Sequence, residues 1–105
     1  MVFIETSAFT RRVIELLSDD DYRLFQATLA ANPVMGPVIP GSGGLRKIRW
    51  TMEGTGKRGG LRLIYYWAVE QERLLMLFVF TKAERTDLTP AQLRILRDVV
   101  AKEYR

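Results

Sequence analysis

The pattern of apolar and polar positions predicts helices at both ends of the chain and strands in the middle. After a short strand at Val2–Glu5, apolar residues recur at helical spacing in two consecutive segments that meet at Ser18. Thr6 or Ser7 can cap the first helix and Ser18 the second. Pro33 stops the second helix, because proline disfavours a helical residue before it. We therefore predict a strand followed by a helical hairpin.

Three strands are predicted after a loop rich in proline and glycine. Residues 45–52 alternate between apolar and polar side chains, mostly basic, as a strand with one buried face does. Residues 61–68 form a second strand, and residues 74–82, which are apolar on both faces, predict the most buried strand. Glycines in residues 54–60 and polar side chains in residues 71–73 mark the turns between them.

The C-terminal helix has a clear start signal. Thr89 is followed by Pro90 at the first helical position and by Gln92 at the third, which predicts a capping box. The element order is therefore β-α-α-β-β-β-α. In a chain of 105 residues this order predicts one α+β domain, residues 1–105, with an antiparallel β-sheet meander covered by the helical hairpin and the C-terminal helix.

Composition removes several classes of function. The chain has no cysteine and no histidine, so thiolate and imidazole catalysis are excluded and a zinc site is not expected. Asp19, Asp20 and Asp21 could bind magnesium, but their place after Ser18 favours capping of a helix N-terminus. We expect neither a metal nor a cofactor.

The sequence also predicts a cytoplasmic protein. The N-terminus lacks the basic opening and the long apolar region of a signal peptide. The longest apolar run, residues 74–80, is far shorter than the ~20 residues of a membrane-spanning helix. No contact with a membrane is therefore expected.

Most of the excess positive charge lies in residues 41–66, around the predicted hairpin of the first two strands of the meander. This segment has six basic residues and one acid, Glu53, a net charge of +5, whereas the whole chain carries +4. The six basic residues are Arg46, Lys47, Arg49, Lys57, Arg58 and Arg62. Arginine and lysine side chains bind phosphate oxygens, and Trp50 could offer a stacking face, so we predict a polyanion-binding surface. The alternatives are a solvated basic face and core packing of Trp50.

The predicted meander also brings two distant cations together. If the strand at residues 61–68 is antiparallel to the strand at residues 74–82, the start of one lies beside the end of the other. We therefore expect Arg62 to lie near Lys82.

Three segments, GGLRKIR, GKRGGLRLIYY and TKAERTDLT, resemble the RelE superfamily of toxin ribonucleases, and in particular HigB-like toxins of bacterial type II toxin-antitoxin systems. The resemblance covers nearly the whole chain and implies a compact RelE-like fold. It implies a ribosome-dependent endoribonuclease that cleaves mRNA in the A site and inhibits translation and growth. It also implies metal-free chemistry, in which the 2′-hydroxyl attacks the adjacent phosphate and leaves a 2′,3′-cyclic phosphate and a 5′-hydroxyl.

The implied partners are mRNA, the ribosome and a cognate antitoxin. The antitoxin is expected to be HigA-like, with a helix-turn-helix domain. DNA would be contacted only indirectly, through that antitoxin.

The resemblance also assigns roles to individual residues. Arg62 matches the strand arginine at the scissile phosphate and would stabilise the phosphorane, and Lys82 would protonate the leaving 5′-oxygen or share the phosphate charge. Lys57 is the preferred general base, because neighbouring cations raise the neutral fraction of a lysine. Glu84 is the rival base, or a residue that orients a neighbouring cation. The expected RNA contacts are Arg46, Lys47, Arg49, Arg58 and Trp50.

The chain departs from the family pattern at the C-terminus, where many members place a tyrosine or histidine that stacks on or activates the substrate. Only Tyr104 is nearby, and it lies on the predicted helix, so the stacking role stays unassigned. The alternative to an enzyme is a non-catalytic RNA-binding module that uses the same basic hairpin.

Overall fold

The computed structural model describes residues 1–51 and 60–104. Its elements are β1 (Val2–Glu5), α1 (Ser7–Leu16), α2 (Asp19–Ala31), β2 (Arg46–Trp50), β3 (Leu61–Ala68), β4 (Arg73–Thr81) and α3 (Pro90–Tyr104). This is the predicted α+β order. None of the described helices is long and apolar enough to cross a membrane.

The helical hairpin begins at the predicted caps. Thr6 caps α1, because its Oγ1 accepts a hydrogen bond from the Phe9 N–H at 3.1 Å. The same hydroxyl donates to the carbonyl of Leu77 in β4 at 2.8 Å, which ties the start of α1 to the sheet. Ser18 caps α2 by accepting from the Asp21 N–H at 3.2 Å. Asp21 and its two acidic neighbours lie in the first turn of α2, where negative charge is favourable.

Helix α3 begins with the predicted capping box. The Gln92 N–H donates to Thr89 Oγ1 at 3.1 Å, and the Thr89 N–H donates to Gln92 Oε1 at 2.9 Å. Leu88 and Leu93 flank this box and pack into the same apolar cluster, as a hydrophobic staple does. The start of α3, and with it the loop that leaves β4, is therefore fixed at the sheet.

The sheet has the order β1-β4-β3-β2. Strands β2, β3 and β4 form the predicted antiparallel meander, and β1 adds to β4 in parallel, with Val2 opposite Arg73. A parallel neighbour requires a long crossover, which here contains both helices of the hairpin and the first two strands of the meander. Strand β4 is thus an inner strand, which explains its apolar residues on both faces.

The helices cover opposite faces of the sheet. Leu61, Leu63 and Tyr65 of β3 pack in one cluster with residues of α1 and α2. Ile64 and Tyr66 pack in a second cluster with residues of α3. The molecule therefore has three layers, and β3 alternates between two cores, as the period of a strand requires.

The loop between α2 and β2 is held against Tyr65. The Tyr65 hydroxyl donates to the carbonyl of Pro33 at 2.7 Å and accepts from the Gly36 N–H at 3.1 Å. A Cβ on Gly36 would lie 2.9 Å from the Tyr65 ring, so the backbone approaches more closely than any other residue allows. Burial raises the pKa of Tyr65, although the Gly36 hydrogen bond and Arg46 act in the opposite direction.

Candidate functional site

The candidate site lies on the α3 face, at the end of the sheet where β3 begins and β4 ends. Arg62 stands opposite Arg49 of β2 on one side and opposite Phe80 of β4 on the other. Lys82 follows two residues after Phe80, just beyond the end of β4. The register thus brings the start of β3 beside the end of β4, as the meander predicted.

Arg62 differs in its burial from the other cations that the structure describes. It is only 6% exposed, whereas its neighbour Arg49 is exposed. Removal of a guanidinium from water costs free energy that interactions within the protein must offset, and Arg62 does interact with other groups of the chain. A charge in such a low-dielectric position acts more strongly on a bound anion than a charge in water.

Arg85 is a second arginine of this face, and it was not among the predicted site residues. Its Cζ lies over two rings of β4, 5.4 Å from the centroid of Phe78 and 5.9 Å from that of Phe80. Alternation predicts that the two phenylalanines share a face. Arg85 follows in the loop after β4, where no periodicity fixes the direction of a side chain, so only the three-dimensional structure could reveal the contact.

Glu84 makes its hydrogen bonds and its ion pair on the side of the sheet that the helical hairpin covers. One carboxylate oxygen accepts from Thr81 Oγ1 at 3.0 Å and from the Thr81 N–H at 3.3 Å, and it also binds the guanidinium of Arg12 in α1. Burial alone would raise the pKa of Glu84, but the hydrogen bonds from Thr81 and the charges of Arg12 and Arg85 outweigh it, so the pKa is lowered. The carboxylate therefore stabilises the turn that carries Lys82, which is itself exposed.

The predicted RNA contacts are divided between the two faces. Lys47 and Arg49 alternate onto the face of Arg62, and Lys47 Nζ donates to an Asp87 carboxylate oxygen at 3.1 Å. Arg46 lies on the other face, where Nη1 donates to the carbonyl of Gly36 at 2.8 Å. Its charge thus helps to hold the loop before β2.

Trp50 also lies on the face of the helical hairpin. Its ring packs edge-on against Phe25, with the centroids 5.1 Å apart, and it belongs to the apolar cluster beneath α1 and α2. Lys57 and Arg58, the proposed base and a proposed RNA contact, lie outside the described residues, as does most of the predicted turn at residues 54–60.

Tyr104, the aromatic residue nearest the C-terminus, stacks on Tyr66. The ring centroids are 5.9 Å apart and the planes differ by 26°. Tyr66 shares its face with Arg62 but lies four residues further along β3, which corresponds to about 13 Å at the usual rise of a strand. Tyr104 is therefore engaged at the far end of this face.

Asp87 links the loop before α3 to β2, and its charge makes a pH-dependent contribution. Burial raises its pKa, but the hydrogen bond from the Leu88 N–H and the ammonium of Lys47 outweigh this, so the pKa is lowered. A carboxyl with a lowered pKa stabilises the folded state when it is ionised, and this stabilisation is lost as pH falls through the folded-state pKa.

We expect Asp87→Asn to reduce the free energy of unfolding at pH 7, by at most about 1 kcal/mol because the Asp87 carboxylate of the ion pair is exposed. The difference from the wild type should disappear below the ordinary range of an aspartate pKa. Urea unfolding at pH 7 and at a pH below that range measures the difference in the free energy of unfolding. Asp98→Asn is the control, because Asp98 is exposed. An equal loss at both pH values would contradict the assigned role of the charge.

An apolar groove of about 290 Å³ lies between the start of α1, β4 and α3, and Phe78 is part of its lining. Its lining has no charged residue and includes Ile95, which is 61% exposed. Such a lining does not bind phosphate. Nor do the described residues contain a group of three or more acids placed to bind a metal ion. The basic face around Arg62 is therefore the candidate site.

Comparison with known proteins establishes the fold. No protein-family model matches the chain. The intact RelBE toxin-antitoxin complex of E. coli contains a chain that is 16% identical, with a TM-score of 0.57, and the match covers 76% of this chain and 94% of that one. A double arginine-to-alanine mutant of the E. coli toxin RelE in the free state is 15% identical, with a TM-score of 0.59 and coverage of 81% and 86%. The chain therefore has a RelE-like fold.

Proposed function

We propose that this chain is the toxin of a type II toxin-antitoxin system, of the HigB-like kind, and that it cleaves mRNA in the ribosomal A site. The observation that carries the proposal is the buried Arg62, set between Arg49 and the Phe80–Arg85 pair on a RelE fold. A guanidinium held at one point of a basic face is suited to a phosphate whose charge increases during reaction. A surface that only bound RNA would not require a buried guanidinium such as that of Arg62.

The proposed reaction is an internal transesterification. The 2′-oxygen forms a bond to the adjacent phosphorus, the bond to the 5′-oxygen breaks, and a 2′,3′-cyclic phosphate and a 5′-hydroxyl result. Arg62 stabilises the charge on the phosphorane, and Lys82 gives a proton to the leaving oxygen or shares the phosphate charge. This chemistry requires neither a metal nor a cofactor.

The contacts of Glu84 favour Lys57 as the base that takes the proton of the 2′-hydroxyl. Glu84 accepts hydrogen bonds from Thr81 and binds Arg12, on the side of the sheet away from Arg62. Its role in the proposal is to hold the turn that presents Lys82 and Arg85. Lys47, Arg49 and Arg58 would bind the RNA backbone and make the affinity salt-dependent.

The proposed partners are the ribosome, mRNA and a cognate antitoxin. The RelBE structure contains a toxin of this fold together with its antitoxin, which supports an antitoxin partner here. We propose that it is HigA-like and that it carries the helix-turn-helix domain that contacts DNA. A cytoplasmic location is consistent with these partners.

The test is inducible expression followed by primer extension on a translated mRNA. We expect new 5′ ends within codons during translation and none when the same RNA is offered without ribosomes. A 2′-deoxy nucleotide at the cleaved position should prevent cleavage, because the attacking oxygen is missing. Equal cleavage of free RNA would contradict ribosome dependence. Binding without cleavage under either condition would favour the non-catalytic RNA-binding module.

A further inference from the structure

Arg85 occupies a distinctive position beside Arg62. It lies over Phe78 and Phe80, and Phe80 is 1% exposed and stands opposite Arg62 in the sheet. Cation–π attraction holds the guanidinium on these rings. The two arginines therefore flank the same buried phenylalanine, one in the sheet and one above it.

Arg85 lies close enough to Glu84 for its charge to act on that carboxylate, but it forms no ion pair within the described part of the chain. The ion pairs found there involve Arg12, Arg23 and Lys47, and the Nε of Arg85 is buried without a hydrogen-bond partner. The side chain is nevertheless only half-buried. A planar cation that rests on aromatic rings and keeps some exposed surface can stack on a further flat group.

We propose that Arg85 forms a nucleobase-stacking subsite. The base of a nucleotide next to the scissile phosphate lies against the guanidinium of Arg85, while Arg62 holds the phosphate itself. RNA-binding proteins use arginine planes in this way for unpaired bases. The identity of the RNA rests on the proposed function.

The test compares Arg85→Lys with the wild type on ribosomes that display an uncleavable mRNA, with a 2′-deoxy nucleotide at the scissile position. Lysine keeps the charge but has no plane to stack. Two further mRNAs are abasic at one nucleotide each. The first lacks the base on the 5′ side of the scissile position, and the second lacks the base on its 3′ side. We expect Arg85→Lys to weaken binding of the intact mRNA about tenfold, as loss of one stacked base does. On one of the two abasic mRNAs the variant and the wild type should bind equally.

An unchanged affinity of Arg85→Lys for the intact mRNA, or the same loss on both abasic mRNAs, would overturn the subsite. Thermal unfolding of the variant checks its fold. Arg73→Lys is the matched control, because Arg73 is an exposed arginine at the opposite end of β4, and it should change none of these affinities. If binding depends on the base but a normal mRNA is not cleaved, the proposed function is contradicted and the stacking subsite is not. Absence of binding to these ribosomes would contradict both.

Discussion

Replacing Arg62 with alanine is expected to lower the rate of mRNA cleavage on ribosomes about 100- to 1,000-fold, the usual effect of removing one group that stabilises a developing oxyanion. The physical reason is its position, since Arg62 is 6% exposed and water screens its charge weakly. Single-turnover kinetics at saturating protein measure the effect. Arg62→Lys, which keeps the charge without the two-pronged fork, should lose less.

Arg49→Ala is the matched comparison, because Arg49 is the exposed partner of Arg62 in the sheet. We expect Arg49→Ala to bind mRNA on the ribosome less tightly than the wild type does, and with a weaker salt dependence. At saturating protein it should cleave the mRNA at a nearly normal rate. Circular dichroism and thermal unfolding test whether Arg62→Ala is folded. A folded Arg62→Ala protein that cleaves at the wild-type rate would exclude the catalytic role.

Replacing Gly60 with alanine is expected to be the more damaging of two matched glycine substitutions. Gly60 has φ +66°, and a Cβ there would lie 2.5 Å from the carbonyl oxygen of Trp50, a backbone atom that cannot rotate away. Gly41 has φ +70° with nothing within 4 Å of a Cβ. Both variants bear the cost of a left-handed backbone, about 1–2 kcal/mol, and only Gly60→Ala also bears the cost of overpacking, about 1–3 kcal/mol.

Urea unfolding of both variants measures this difference. Gly60→Ala should lower the free energy of unfolding by about 2–5 kcal/mol, which is a large fraction of the ~5–15 kcal/mol of a typical domain. Gly60 directly precedes β3, so the strained variant should also displace the start of the strand that carries Arg62. Equal losses for Gly41→Ala and Gly60→Ala would show that the close contact with Trp50 is relieved at no cost.

Local features of the fold were predictable because their interactions span only a few residues. The caps at Thr6 and Ser18 bond to residues three positions later, and Thr89 and Gln92 form a reciprocal pair over the same distance. The bounds of β3, Leu61–Ala68, were predicted from one run of strand-forming residues. The parallel pairing of β1 with β4 was not predicted, because it depends on how the whole chain crosses the sheet.

The candidate site was predictable only in part, for a similar reason. Strand alternation and register placed Arg62 beside the end of β4, and the structure confirms that placement. Charge counting could not tell which cations are engaged inside the protein. Arg46 lies on the other face of the sheet, where it binds the loop carbonyl of Gly36, and Lys47 is paired with Asp87, so neither contributes its full charge to the basic face.

The sequence by itself determined the order of the elements, their caps, the two faces of each strand and the excess of positive charge in residues 41–66. These depend on the period of the backbone and on contacts between near neighbours. Only the tertiary structure decided that the helices cover opposite faces, that Arg62 is buried, and that Arg85 lies on Phe78 and Phe80. Those properties arise when layers from distant parts of the chain pack together, and no local pattern specifies how they meet.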